Sequence, residues 1–353
     1  MTNLNITNNL QIYFKNEISC IFSTDDNYAP YLGIAIQSLI ENSNTNNNYG
    51  VYVLEENLSE KYKKKLLDLE KENIKIFFVN LSEVYKKHSN DIFFTWAHFT
   101  KAIYNRCFIP EIFKNFEKVL YFDCDLIFQR DIADLYNTNL EDKYAGVVRD
   151  TGFIYNLNKQ NNNLDFVSYT KKFLKLKESK NYFNSGVMLF NIKALTDFKF
   201  TEKFIDTLKN FKNLNFPDQD VLNILFENKT MFLNFAWNVE LGVFVWKDHK
   251  EVIKNEEYSL SLIKPYILHF TGEKPWNNPD LPYAEAFFKY ARSSIFYEEV
   301  LYKATERKIQ DFTKDHLKYY HPNGLNKIFS IKNKYSNGKK EKFITIFGFT
   351  FVK

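Results

Sequence analysis

The N-terminal part of the chain alternates between apolar runs of strand length and segments with helical spacing. The runs "ISCIFSTDD" (18–26), "YGVYVLEE" (49–56) and "IKIFFVNL" (74–81) are separated by "YAPYLGIAIQSLIENS" and "SEKYKKKLLDLEKE", in which apolar residues recur at helical intervals. This order is typical of an α/β domain built on a mostly parallel sheet. Ligands of such sheets bind beyond the carboxyl ends of the strands. The polar residues that follow the runs are therefore the first candidates for function.

One of the later apolar runs contains two carboxylates. "KVLYFDCDLIF" (118–128) has the composition of a buried strand but includes Asp123 and Asp125. Residues two apart on a strand share a face, so both side chains can point to one place. Two buried like charges cost several kcal/mol unless a partner offsets them. The pattern predicts a shared cation, with two capping aspartates at a strand end as the alternative.

A second polar group follows the apolar run "PYILHF". His269 is the next-to-last residue of this run, and the loop "TGEKPW" that follows contains Gly272 and Lys274. The glycine permits a close backbone approach, and the lysine adds a cation. An imidazole with two carboxylates suits Mn²⁺ better than Mg²⁺, although Mg²⁺ remains an alternative. A packed or capping histidine is the competing interpretation.

Further patterns predict the rest of the domain. "NYFNSGVMLFNIKAL" and "MFLNFAWNVE" predict strands, "FPDQDVLNILFEN" predicts a helix, and a long helical pattern begins near residue 285. Asn337-Gly338 predicts the turn of a β-hairpin. We expect a catalytic domain at residues 17–284 and a helical, basic and aromatic extension at residues 285–353.

Composition limits the classes of protein that the chain can belong to. Its 353 residues, 45% hydrophobic and 18% aromatic, suffice for a large core in one extended domain or two. Three cysteines without metal-ligand spacing favour neither disulfides nor zinc, and a reducing cytosol is the expected location. The Asn-rich N-terminus and the lack of a long apolar stretch predict neither a signal peptide nor a spanning helix.

Charge is concentrated near the C-terminus. Residues 301–353 contain twelve Lys and Arg against four Asp and Glu, a local charge of +8 within a total of +4. The remaining residues are therefore net acidic, and nucleic-acid binding by the whole chain finds no support. Aromatic residues interleave with the basic ones. This tail is expected either to pack on the catalytic domain or to dock peripherally on the anionic cytoplasmic face of the inner membrane.

Six stretches together resemble glycosyltransferase family 8, over roughly residues 17–280. They are "DDNYAPYLGIAIQSL" (25–39), "YNRCFIPEIF" (104–113), "KVLYFDCDLIF" (118–128), "YFNSGVMLFNI" (182–192), "PDQDVLN" (217–223) and "HFTGEKPW" (269–276). The resemblance implies a GT-A fold, with a mixed, mainly parallel sheet flanked by helices. It also implies transfer of glucose or galactose from a UDP-sugar to a saccharide acceptor, such as a lipopolysaccharide or lipooligosaccharide core or another surface glycan, forming an α-linkage with Mn²⁺.

The same resemblance assigns expected roles to individual residues. Metal ligands are implied at Asp123, Asp125 and His269. Contacts with the nucleotide sugar are implied at Thr24, Asp25, Asn27, Tyr28, Arg106, Cys124, Asn184, Gly272 and Lys274. Catalytic positions near the transferred sugar are implied at Arg106, Asp150, Asp218 and Gln219, and an acceptor-side position at His98. Locally, Asp25 and Asn27 also suit a helix cap, Asp150 and Asn184 suit turns, and acids at 218 and 220 suit a helix N-terminus.

Several alternatives stay open at the level of sequence. Retention suggests a double displacement through an enzyme nucleophile, but the carboxylate pair is committed to metal and Gln219 is a poor nucleophile, which favours front-face attack. A D-x-D phosphohydrolase and a non-catalytic nucleotide-sugar-binding protein are the rival functions. The phosphohydrolase pattern requires an N-terminal D-x-D followed by Thr or Val and Gly, whereas here "LIF" follows it. Oligomeric state is not indicated.

Overall fold

The structure, a computed structural model, describes residues 3–4, 10–88, 93, 101–159, 165–241, 253–306, 309, 329–336, 339–346 and 349–352. His98 and the Asn337-Gly338 turn lie outside these residues. The strands are β1 Asn3–Leu4, β2 Glu17–Ser23, β3 Asn48–Glu55, β4 Ile74–Asn80, β5 Lys118–Phe122, β6 Leu126–Phe128, β7 Ala145–Arg149, β8 Phe183–Asn191, β9 Thr230–Phe232, β10 Val239–Glu240, β11 Ile267–His269, β12 Phe329–Ser336, β13 Lys339–Ile346 and β14 Phe349–Val352.

Helices connect these strands. The α-helices include α1 Ala29–Asn42, α2 Glu60–Leu67, α3 Ser82–Lys87, α4 Ile109–Ile112, α5 Ala133–Tyr136, α6 Thr151–Lys159, α7 Phe166–Ser168, α8 Ile192–Asp197, α9 Phe200–Asn210, α10 Pro217–Leu225, α11 Glu256–Ser261 and α12 Ala284–Ser293. The 3₁₀ helices include Lys101–Phe108 and Phe235–Asn238, and Tyr169–Phe173 forms a π-helical turn.

The central sheet has eight strands in the order β1-β4-β3-β2-β5-β8-β7-β9. Pairing is parallel from β1 through β5 and between β7 and β9, whereas β8 runs antiparallel to both β5 and β7. The sheet is thus mixed and mainly parallel, as predicted. The alternation read from the sequence corresponds to β2-α1-β3-α2-β4, whose parallel strands need helical crossovers between them.

Apolar side chains cover both faces of the sheet. Cys20, Phe22 and Val51 belong to one buried cluster, with α1, α2 and the second sheet, whereas Ile21 and Tyr52 belong to the other, with the 101–113 segment, α8 and α9. This division follows the two-residue period of a strand. Because both faces are covered, these strands read as nearly continuous apolar runs.

A second sheet of three strands, β10-β11-β6, lies next to the end of β5. Residues 118–128 do not form the single strand that was predicted. Instead, β5 ends at Phe122 in the central sheet and β6 starts at Leu126 in the second one, so Asp123–Asp125 is the crossing between sheets. The prediction that "MFLNFAWNVE" is one strand is also wrong, because a 3₁₀ turn separates β9 from β10.

The chain divides into two compact units, Met1–Val300 and Leu301–Lys353. The division therefore falls after Val300 and not at residue 284, because Phe287 and Tyr290 of α12 pack in the core of the first unit. In the second unit β12, β13 and β14 form an antiparallel meander, and the Ser336–Lys339 pair closes the predicted hairpin. Within the described ranges, no helix has both the length and the apolar character that crossing a membrane requires.

Candidate active site

Two carboxylates and an imidazole converge where the two sheets meet. One ligand atom from each of Asp123, Asp125 and His269 lies within 4.8 Å of the others. His269 Nε2 is 3.2 Å from Asp125 Oδ1 and 3.8 Å from Asp123 Oδ2. The strand pairing explains this arrangement, because β11 places His269 opposite Leu126, directly after the two aspartates.

The donor set fits a divalent cation. Carboxylate oxygens with one imidazole nitrogen suit ions of intermediate softness such as Mn²⁺. Gly186 leaves room for the three groups to approach one another: a Cβ atom there would lie 2.3 Å from His269 Cε1 and 2.7 Å from Asp123 Oδ2. The Gly186 carbonyl also accepts a hydrogen bond from the Asp123 N–H at 2.9 Å. A side chain at this position would therefore disturb two of the three candidate ligands.

Lys274 reaches the same cluster from the loop after β11. Its Nζ lies 2.5 Å from Asp125 Oδ2 and donates to the Phe270 carbonyl oxygen. Burial alone would raise the pKa of Asp125, but the positive charge of Lys274 and the neighbouring His269 hold it well below its usual range. The loop is anchored further on, where Trp276 stacks on Tyr31 of α1 at 3.7 Å between ring centroids. Asp125 is therefore a stable anion at the rim.

Arg106 connects this cluster to the start of α10. It is only 4% exposed, and its Nη2 donates to Asp123 Oδ1 at 2.9 Å while Nη1 lies 3.2 Å from Asp218 Oδ2. Nη1 also donates to the Ser185 carbonyl oxygen at 2.6 Å, and the guanidinium stacks on Tyr121. The buried Arg106 guanidinium thus links the carboxylates of Asp123 and Asp218.

Asp150 and Gln219, which were expected near the transferred sugar, belong to one hydrogen-bonded group. Gln219 Nε2 donates to Asp150 Oδ2 at 2.9 Å, and its Oε1 accepts from the Ser185 N–H at 3.0 Å. Asp150 also caps α6, because its Oδ1 accepts from the Phe153 N–H. Burial raises the pKa of both Asp150 and Asp218, although Arg106 opposes the effect at Asp218. Gln219 is therefore held in one orientation.

A bulge in β8 brings further polar groups close to Asp150 and Gln219. Val147 pairs with Met188 but Val148 pairs with Asn184, so residues 185–187 form an excess segment on β8. Bulges of this kind redirect side chains near active sites. As a result Asn184, Ser185 and Gly186 contribute side-chain or backbone groups to the site.

The residues expected near the nucleotide lie at the start of α1. Asp25 Oδ1 accepts from the backbone N–H groups of Asn27 and Tyr28, which is the geometry of a helix cap. Tyr28 is 37% exposed, and partial burial together with the charge of Asp125 raises its pKa. The Tyr28 hydroxyl is therefore within electrostatic reach of Asp125. Thr24 is buried at the end of β2.

Cys124 and Gly272, two of the residues expected to contact the nucleotide sugar, each bond to a backbone carbonyl oxygen. Cys124 is buried, its thiol donates to the Ser23 carbonyl oxygen at 3.0 Å, and burial raises its pKa well above the ordinary value. Burial therefore disfavours the thiolate form of Cys124. The Gly272 N–H faces the Leu241 carbonyl oxygen at 3.4 Å.

Sequence reasoning missed two buried residues at this site. Asn238 Oδ1 lies 2.9 Å from His269 Nδ1. Glu240 Oε2 accepts from the Thr151 and Gly152 N–H groups at the start of α6, and burial, with Asp150 nearby, raises its pKa well above the ordinary value. Both lie in the segment predicted as one strand. The signal that could have found them was two polar residues in an apolar run, the same signal that identified Asp123 and Asp125.

Comparison with known proteins supplies the family. Residues 19–280 match the family described as glycosyl transferase family 8. The chain is 29% identical over 286 residues to General stress protein A of Bacillus subtilis, covering 78% of this chain and 94% of that protein. It is 25% identical over 284 residues to a lipopolysaccharide 1,2-glucosyltransferase of Escherichia coli, covering 78% and 77% respectively.

Solved structures share the fold. The bifunctional glycosyltransferase WbbM superposes with a TM-score of 0.71 and 25% identity over 84% of this chain, which spans about half (53%) of that protein. The galactosyltransferase LgtC, solved with donor and acceptor sugar analogues, gives a TM-score of 0.60 and 24% identity, covering 78% of this chain and 96% of that one. The fold is therefore of the GT-A type, and the chain belongs to glycosyl transferase family 8.

Proposed function

We propose that this glycosyltransferase moves a hexose from a UDP-sugar to a saccharide acceptor with retention at the anomeric carbon, giving an α-linkage. The observation that carries the proposal is the convergence of Asp123, Asp125 and His269 beside Lys274. Oxygen and nitrogen ligands next to a lysine ammonium group suit a metal-bound diphosphate. The names of the relatives, a lipopolysaccharide glucosyltransferase and a galactosyltransferase, support a hexose as the transferred group.

Asp123, Asp125 and His269 would hold the divalent ion, with Mn²⁺ preferred. When bound, the ion supplies Lewis-acid stabilisation of the charge on the departing diphosphate. Lys274 would exchange its contact with Asp125 for one with a phosphate oxygen and so stabilise the same charge. Arg106, buried between Asp123 and Asp218, would keep the first ligand in position. Gly272 would allow the diphosphate to approach the backbone closely.

The start of α1 would bind the nucleoside. Thr24, Asp25, Asn27 and Tyr28 follow β2 at the carboxyl edge of the sheet, where ligands of α/β folds bind. The exposed ring of Tyr28, whose hydroxyl is within electrostatic reach of Asp125, is suited to stacking on a base near the metal. Cys124, between the two carboxylates, would contribute through its backbone.

Asp150, Asn184, Asp218 and Gln219 would contact the sugar being transferred. The amide of Gln219 bonds to Asp150 and Ser185, Asp218 is ion-paired with Arg106, and Asp150 caps α6. The amides of Asn184 and Gln219 are poor nucleophiles, and the carboxylates of Asp150 and Asp218 are engaged by Gln219 and Arg106, which favours front-face attack. The acceptor hydroxyl would form its bond to the anomeric carbon as the carbon–phosphate oxygen bond breaks. The electron pair goes to the diphosphate, which also takes the hydroxyl proton.

The acceptor is proposed to be a lipopolysaccharide core or another surface glycan, reached at the cytoplasmic face of the inner membrane. The basic charge and interleaved aromatics of residues 301–353 support peripheral docking on anionic lipid. Each Lys or Arg close to such a surface contributes on the order of 1 kcal/mol. The tail would thus keep the enzyme near a lipid-linked acceptor.

A donor screen tests this function. Purified enzyme is incubated with UDP-glucose, UDP-galactose and their N-acetyl analogues, with MnCl₂, and with and without core oligosaccharide acceptors. We expect UDP release from one hexose donor and an α-linked product, identified by the coupling of its anomeric proton in NMR. A β-linked product would contradict retention. Hydrolysis of a simple phosphomonoester without a nucleotide sugar would instead favour a phosphohydrolase, and binding without any turnover a non-catalytic role.

A further inference from the structure

A chain of buried amides leads from the backbone of β8 to the ring of His269. The Gly186 N–H donates to Asn184 Oδ1 at 2.9 Å, Asn238 Nδ2 donates to the same oxygen at 2.9 Å, and Asn238 Oδ1 lies 2.9 Å from His269 Nδ1. Asn238 and His269 are 1% and 2% exposed. Water therefore does not compete for these bonds, and each buried group needs its partner.

The backbone N–H of Gly186 determines the direction of every bond in this chain. A backbone N–H can only donate, so the atom of Asn184 that faces it is the side-chain carbonyl oxygen. The group of Asn238 that faces this oxygen must then be its NH₂. The carbonyl oxygen of Asn238 consequently faces His269, and the ring nitrogen Nδ1 must carry a proton to bond with it.

This direction matters at the other side of the ring. His269 Nε2 faces Asp125 Oδ1 at 3.2 Å, so a proton on Nε2 would bond well to that carboxylate. A ring protonated only on Nε2 would be unable to bind a metal through that atom. With the proton of the neutral ring held on Nδ1, the lone pair of Nε2 points between the two carboxylates, as a metal ligand must.

We infer that Asn238 is a positioning residue that holds the proton of His269 on Nδ1 and so keeps Nε2 available as a ligand. The inference rests on the metal site proposed above. Asn238 acts through His269 and does not touch the substrate. Partners of this kind raise metal affinity by about 10- to 100-fold.

Two variants and a control test the inference. Asn238→Leu removes the acceptor opposite Nδ1, whereas Asn238→Asp keeps one. The control is Asn42→Leu, since the half-buried Asn42 side chain donates to the carbonyl oxygens of Ser38 and Phe128 and contacts the Tyr290 hydroxyl, none of which belongs to the candidate site. Mn²⁺ affinity is measured by EPR of the free ion, and folding by circular dichroism. We expect Asn238→Leu to bind Mn²⁺ about 10- to 100-fold more weakly, Asn238→Asp to bind more tightly than Asn238→Leu, and the control to keep wild-type affinity.

The protonation site is read independently in the metal-free protein. Long-range ¹H–¹⁵N spectra of histidine-labelled wild type should show a proton on Nδ1 of His269. A wild-type ring with its proton on Nε2 alone would overturn the inference, as would a folded Asn238→Leu protein that binds Mn²⁺ as tightly as wild type. Failure of wild type to bind Mn²⁺, with Nδ1 protonated, would instead overturn the proposed metal site and leave the role of Asn238 on the ring intact.

Discussion

Replacing Arg106 by methionine removes the one cation between Asp123 and Asp218 that the described residues provide, while keeping most of the side-chain volume. Removing one partner of a buried ion pair costs about 3–5 kcal/mol because it leaves an uncompensated charge. The Asp123 side chain is 29% exposed, so water screens part of its charge, whereas Asp218 is 8% exposed and is hardly screened. We therefore expect a loss of about 3 kcal/mol in the free energy of unfolding at neutral pH, mainly from Asp218.

The pH dependence separates this charge effect from a packing defect. Burial already raises the pKa of Asp218, and loss of Arg106 raises it further. A group whose folded-state pKa is raised destabilises the fold above that pKa, and the cost disappears as pH falls through it. The destabilisation by Arg106→Met should thus be largest at neutral pH and shrink toward about pH 4.

Urea denaturation across this pH range measures both quantities. Arg149→Met is the control, because Arg149 is half-buried and its guanidinium stacks on Phe232. Its loss should be small and nearly independent of pH. A loss below about 1 kcal/mol for Arg106→Met, or a pH-independent loss, would refute the role of Arg106 as the cation between two buried carboxylates.

Three further predictions concern other parts of the molecule. Gly186→Ala should weaken Mn²⁺ binding by about tenfold or more, since its methyl group meets His269 and Asp123; unchanged affinity would contradict this. Burial raises the pKa of Asp220 from 3.8 to about 6, so its stabilising contribution is lost as pH rises through that window. Asp220→Asn should remove this change of about 3 kcal/mol in urea denaturation, and an unaltered pH profile would refute it. A chain ending at Val300 should keep UDP-sugar hydrolysis and lose salt-sensitive sedimentation with anionic vesicles; vesicle binding equal to that of the full chain would exclude the tail as the anchor.

The alternation of strands and helices could be predicted because the first strands are buried on both faces and therefore read as apolar runs. The candidate metal cluster could also be predicted, since Asp123 and Asp125 interrupt an apolar run and so have a high desolvation cost. The reason given for their convergence was wrong, however. The two side chains meet because the chain crosses from β5 to β6 at these residues, and not because they alternate along one strand.

The hydrogen bonds and ion pairs around the cluster could not be predicted from the sequence. A single asparagine has no distinctive sequence signal. The 3₁₀ turn that places Asn238 next to His269 depends on the pairing of β10 with β11. Arg106 is ion-paired with Asp123 and also with Asp218, which lies more than a hundred positions away in the sequence. Local patterns carry no information about such pairs, which arise from the packing of α10 and the 101–108 turn against the sheet.

Release of UDP from a UDP-hexose with and without a divalent ion tests the role of the Asp123, Asp125 and His269 cluster most directly. The enzyme is stripped with excess chelator, assayed, and then titrated with MnCl₂ beside Asp125→Asn. We expect wild type to be inactive in chelator and to recover with Mn²⁺. The variant should stay inactive, because a neutral amide lacks the charge that the ion needs. Full turnover by wild type in excess chelator would contradict a metal-dependent transfer at this site.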